Sequence, residues 1–77
     1  MSFSEELKQV RKRAFLSQQG FAKAVNVSFS TVNRWETGKT MPNLSAMKNI
    51  KAFCETNQMD FSALEQEWLK AGCEENL

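Results

Sequence analysis

Between Phe29 and Thr37 the chain reads Phe-Ser-Thr-Val-Asn-Arg-Trp-Glu-Thr. Wound as a helix, this stretch separates into two sides. Val32, Trp35 and Glu36 cluster together, while Ser30, Asn33, Arg34 and Thr37 spread over roughly 100° to 200° from Val32. The second group holds two hydroxyls, an amide and a guanidinium, with no apolar residue among them. These groups match the edges of base pairs. Arg bridges guanine O6 and N7, Asn bridges adenine N6 and N7, Ser or Thr serves either, and an aromatic ring packs on a thymine methyl. Phe29 lies at the edge of this side, where it either meets a base or packs on the preceding helix. A polar helix face is also what an ordinary solvated surface looks like, so composition alone leaves both readings open.

Little else in the chain could do chemistry. It has no histidine and only three glycines, and neither acid–base imidazole chemistry nor a glycine-rich phosphate cradle can be built from it. Cys54 and Cys73 share no C-x-x-C spacing and cannot supply the four ligands of a zinc site. Two free thiols in a reducing compartment are expected, with Cys54 buried in an apolar helical stretch. Glu65 and Glu67 stand two apart on a helix and point in different directions, so they are solvated charges rather than a catalytic pair. The expectation is a binding protein that is not an enzyme, with no metal, cofactor or small-molecule ligand.

Charge is unevenly distributed. The net charge of the 77 residues is +1, but residues 1–51 carry nine cations against three carboxylates and residues 52–77 carry one against six. A basic front and an acidic back suit a nucleic-acid binder with one contacting face. No apolar run approaches the roughly 18 residues of a membrane span, and Met1–Glu6 lacks the basic-then-apolar order of a signal peptide. The expected location is the cytoplasm, or the nucleoid when bound to DNA.

The elements that must position the Phe29–Thr37 stretch are all helical. There is no period-2 alternation, and the pattern predicts an all-α domain of five helices over residues 1–72, with residues 73–77 a frayed acidic tail. The first helix spans about Ser4 to Ala14, capped by Ser4, with Leu7, Val10 and Ala14 buried. The second spans Gln18 to Val25 after Ser17, and Asn26 ends it in a left-handed conformation. Gly20 inside it costs up to about 1 kcal/mol relative to Ala. The third follows Ser28 and stops at Gly38. Only Asn26-Val27-Ser28 joins these two helices, which forces the steep crossing of a helix-turn-helix. Asn43 caps the fourth, whose stripe is Leu44, Met47, Ile50, Phe53 and Cys54. Asp60 or Ser62 caps the fifth, with Ser62 and Glu65 as a capping box and Phe61, Leu64 and Trp68 along one face.

The stretch from Arg11 to Asn43 contains R-x4-LSQ-x2-FA-x2-V-x-VS-x2-TV-x-RWE-x-G-x3-P. It resembles the Cro/C1-type helix-turn-helix family of phage repressors and bacterial regulators, and so implies a compact, lambda-repressor-like domain. The resemblance implies that Arg11, Ala22, Val32, Trp35 and Glu36 are scaffold. Ala22 is small where the two helices approach, Val32 and Trp35 anchor the recognition helix, and Arg11 pairs with Glu36. It also implies base contacts from Phe29, Ser30, Asn33 and Arg34, and phosphate contacts from Gln18, Gln19, Lys39 and Thr40. Three residues depart from the pattern. Asn26 replaces the usual turn glycine, Phe15 stands where a small or flexible residue is common, and Phe29 replaces a residue that is often polar.

The function this implies is sequence-specific double-stranded DNA binding by a transcriptional regulator, with repression as the expected mode. Family members commonly bind near-palindromic sites as dimers. Helix 61–71 is the candidate homodimer surface, unless its apolar residues pack on helices one and four. Alternatives are an antitoxin, a DNA-targeting module of a larger protein, or a helical protein-interaction module that binds no DNA.

Overall fold

Each of the first four helices begins at a residue whose side-chain oxygen accepts a backbone N–H, and each ends in the same left-handed turn. In a computed structural model, residues 2–71 are described. They form α1 (Phe3–Arg13), α2 (Gln18–Ala24), α3 (Phe29–Glu36), α4 (Leu44–Thr56) and α5 (Ser62–Lys70), with no strand among them. Ser2, Ser17, Ser28 and Asn43 are the N-caps, each accepting from the amide three residues on. Such a cap contributes about 1 kcal/mol relative to Ala.

The first helix starts earlier than its sequence suggested. Ser2, not Ser4, caps it, and Glu5 returns a bond to the Ser2 amide to complete a capping box. The two extra residues bring Phe3 into the core, whereas Ala14 becomes the C-cap and is only partly buried. Val25 is likewise the C-cap of α2 rather than its last turn. The Ser62–Glu65 capping box does not form. Phe61 occupies the N-cap position without a side-chain bond, and Asp60 Oδ1 accepts from the Ser62 amide at 2.9 Å and its hydroxyl at 2.7 Å. Those two bonds, the backbone one first, hold the exposed Asp60 carboxyl below the usual carboxylate range.

The helix ends share one hydrogen-bond pattern. After α1, Phe15 N–H donates to Lys12 O at 3.0 Å and Leu16 N–H to Arg11 O at 3.2 Å. The same pair of bonds recurs at Asn26 and Val27, at Gly38 and Lys39, and at Gln58 and Met59. These are Schellman motifs, which need positive φ at the first residue of each pair. Phe15, Asn26, Gly38 and Gln58 have φ of 59°, 63°, 78° and 56°. Leu16, Val27 and Met59, the following residues in three of the four, pack against the core.

The core draws on every helix. Leu7, Phe21, Val25, Val32, Ile50, Cys54 and Leu64 are all but fully buried, and Phe21 meets Phe53 edge to face with centroids 5.1 Å apart. Burial raises the Cys54 thiol to about 11, helped by the charges of Asp60 and Glu55. Leu44 does not join its predicted stripe. It is 42% exposed, and Ala46, two residues on, is buried with Met47, Ile50, Phe53 and Cys54 instead. Leu64 and Trp68 of α5 are core residues, and α5 packs on α1. Trp68 Nε1 donates to Pro42 O at 2.8 Å, which fixes α5 to the segment that follows α3.

Candidate nucleic-acid interface

Helix α3 is held from behind by packing and by charge. Val32 and Trp35 are buried, and Glu36 is a charged residue buried beside them. Arg11 Nε donates to Glu36 Oε2 at 2.8 Å and Arg11 Nη2 to Oε1 at 3.0 Å, a bidentate pair. Gln18 Nε2 adds a third bond to Oε1, also at 3.0 Å. The remaining Arg11 nitrogen, Nη1, donates to Leu16 O at 3.0 Å. One carboxylate therefore joins α1, the first residue of α2, and the last turn of α3. Bidentate geometry with all three guanidinium nitrogens bonded is the case in which a buried ion pair holds its partners firmly in one arrangement. The predicted scaffold residues Arg11, Ala22, Val32, Trp35 and Glu36 thus come together as a unit, with α2 packed directly on α3.

The turn between α2 and α3 is fixed separately. Asn26 takes the left-handed backbone that the turn demands, and Asn49 Nδ2 of α4 donates to Val25 O at 3.2 Å. Ser28 caps α3, and its hydroxyl also lies 3.2 Å from Ser30 Oγ and 2.8 Å from Thr31 Oγ1.

The opposite side of α3 faces solvent. Phe29, Ser30, Asn33 and Arg34 are all exposed, Phe29 at 51%. Asn33 Nδ2 reaches Gln18 Oε1 at 3.4 Å, so the amide of Gln18 links the buried Glu36 to the exposed Asn33. Thr37, which the helical projection put on the outer side, turns back on its own helix. Its hydroxyl donates to Asn33 O at 2.9 Å and Arg34 O at 3.2 Å. Gln19, Lys39 and Thr40 are exposed, and Gln18 is partly buried. The amides of Lys39 and Thr40 both point to Arg34 O, at 3.0 and 3.5 Å, which leaves their side chains as the free groups. The sequence reasoning missed Gln18 as an internal bridge. Its spacing from Glu36 in the chain, 18 residues, gives no local signal of contact.

Residues 7–56 match the family model described as helix-turn-helix. The chain belongs to the Cro/C1-type helix-turn-helix family. It is 38% identical over 53 residues to the HTH-type transcriptional activator BcrR of Enterococcus faecalis, a match covering 69% of this chain and 26% of that protein. The chain therefore spans about a quarter of the length of that relative. No solved structure matches it. The matched residues hold α2 and α3 entire, together with the Arg11–Glu36 pair. Among the described residues, no group of three or more His, Cys, Asp or Glu could hold a metal, and no helix is long and apolar enough to cross a membrane.

Proposed function

We propose that this chain is a sequence-specific double-stranded DNA-binding transcriptional regulator that lays the outer side of α3 in the major groove and catalyses no reaction. The observation that carries the reading is the division of α3. Its inner side is held by Glu36, Val32 and Trp35, while Asn33 and Arg34 are presented to solvent on the opposite side. Arg34 and Asn33 read base edges, with Ser30 and Phe29 at the helix entry. Gln18, Gln19, Lys39 and Thr40 hold phosphates on either side, which positions the helix without specifying sequence. The protein works in the cytoplasm, on the nucleoid.

Two copies pair across a near-palindromic site through the α4–α5 side. There Leu44 and Leu69, both more than two-fifths exposed, edge a groove of about 140 Å³ floored by Met47, Phe61 and Trp68. Lys48 and Lys51 on α4 and Glu65 on α5 rim it. A two-fold axis brings the lysines of one copy toward the glutamate of the other, as a self-complementary interface requires. Leu69→Glu should leave the domain folded and monomeric by sedimentation.

The length of the relative favours a second reading of the job, in which the same DNA-binding unit targets a larger protein. The mode proposed for the domain is repression, by occupying a site that overlaps a promoter.

The deciding experiment selects bound sequences from a randomised duplex pool and titrates the winner at several salt concentrations. The regulator reading expects one enriched site and an affinity that falls steeply with salt as counterions are released. Lys39→Ala should weaken binding to all sequences alike and reduce the salt slope by about one. No enrichment and no salt dependence would sink the reading in favour of a protein-interaction module. A reporter with the selected site over the promoter, then upstream of it, separates repression from activation.

A further inference from the structure

Four residues described here occupy the left-handed position of a Schellman turn, and Phe15 is the anomalous one. An aromatic side chain with φ of 59° is held where glycine would fit without strain. The ring gains nothing from the rest of the protein in return, since Phe15 is 94% exposed, the most exposed large apolar residue described. Neither the helix-turn-helix packing nor the α4–α5 groove uses it.

Its surroundings say what it faces. Phe15 lies two residues before Ser17, which caps α2, and three before Gln18, whose side chain contacts Asn33 on the outer side of α3. The turn is tied to the recognition unit by the bond from Arg11 Nη1 to Leu16 O. Lys12 and Arg13, just before it, are exposed, as are Ser17 and Gln19 just after. An exposed aromatic ring flanked in the chain by exposed cations and polar groups is matched to a sugar–phosphate strand. The ring covers the apolar face of a deoxyribose, and the cations meet the flanking phosphates. A protein partner would call for a contiguous apolar patch, and the residues exposed around Phe15 are polar or charged.

We infer that Phe15 is a DNA-contacting residue, packing on the backbone of the duplex next to the α2 N-terminus while α3 occupies the major groove. The inference rests on the DNA-binding reading above.

Phe15→Gly separates contact from fold, because glycine relaxes the turn while removing the ring. The expected result is a melting temperature equal to or above that of the parent, with affinity for the selected duplex lowered about five- to tenfold, as loss of one partly covered aromatic face predicts. The salt slope should be unchanged, since a ring releases no counterions, whereas Lys12→Ala and Arg13→Ala should each flatten it. Phe15→Trp should retain affinity. Parental binding matched by equal binding of Phe15→Gly overturns the inference and leaves the regulator reading intact. A lowered melting temperature in Phe15→Gly makes the ring structural and overturns it too. Lost regulation in a reporter with DNA affinity retained assigns the ring to a protein partner, again against the inference. A parent that binds no duplex ends both readings.

Discussion

The two sides of α3 differ in what their residues have already bonded to. On the inner side Glu36 accepts three hydrogen bonds from two other helices, and Val32 and Trp35 are sealed in the core. On the outer side Asn33 makes a single long contact and Arg34 is free in solvent. In the proposed reading, eight helical residues divide stability and recognition between them. Substitution on either side is then expected to leave the other largely unchanged, apart from the one amide of Gln18 that touches both.

The comparison breaks most visibly at Glu36. Replacing it with Ala leaves the Arg11 side chain, only 15% exposed, without its charge partner and removes the partner of Gln18. A loss of about 3 kcal/mol or more is expected, with unfolding shifted well to lower denaturant concentration. Arg11→Ala should cost a comparable amount, and the double variant clearly less than the sum, because the two residues form one unit. If Glu36→Ala unfolds with the parental midpoint, the inner side is not what holds α3.

Arg34→Ala is the opposite case. Its stability should lie within about 0.5 kcal/mol of the parent, as for surface substitutions generally. Its binding should weaken by about 1–3 kcal/mol at particular base pairs, so that preference at those positions is relaxed. Competition between the selected site and single-base variants of it measures this. Uniform weakening across all sequences would instead make Arg34 a phosphate contact.

The inner side was easier to read from sequence than the outer. Val32, Trp35 and Glu36 recur at helical spacing, and the Arg11–Glu36 pair followed from the family pattern, since a separation of 25 residues gives no local cue. Helix ends that depend on one side-chain choice were less legible. Ser2 and Ser4 are equally good caps by type, and Glu5 decided between them by bonding back to the Ser2 amide. At α5 the short side chain of Asp60 took the Ser62 amide and displaced the expected box. On the outer side, type and spacing gave the set of polar residues but not their bonding. Thr37 looked like Ser30 in projection, yet its hydroxyl is occupied by backbone carbonyls of α3.

The interior against which α3 packs carries its own pH signature. The Cys54 thiol is raised from its ordinary value of 9.0 to about 11 by burial and by Asp60 and Glu55. Below pH 9 the thiol is protonated in both folded and unfolded chains, and its contribution is constant. Between pH 9 and 11 the unfolded chain releases the proton while the folded one keeps it, so stability falls as pH rises, by up to about 1.4 kcal/mol per pH unit. Cys54→Ala should flatten that segment of the stability–pH curve while lowering stability overall by opening a cavity. Thiol alkylation of the native protein at pH 8 should be slow at Cys54 and become fast on unfolding. An equally alkaline-sensitive Cys54→Ala would place the effect elsewhere.

The smallest effect tests where the two sides meet, at the end of α3. A Cβ built on Gly38 meets nothing within 4 Å, so the whole cost of Gly38→Ala lies in its φ of 78°. About 1 kcal/mol is expected, which in a domain of this size is a few degrees of melting temperature. The bonds from Gly38 and Lys39 to Trp35 and Arg34 persist if the backbone is kept, and base preference should then be unchanged. Asn26→Gly makes the converse substitution in the same kind of turn and should move stability by only a few tenths of a kcal/mol, because Asn already tolerates that conformation. If Gly38→Ala alters sequence preference as well as stability, the turn also sets the angle at which Arg34 is presented, and the two sides of α3 are coupled through its C-terminus.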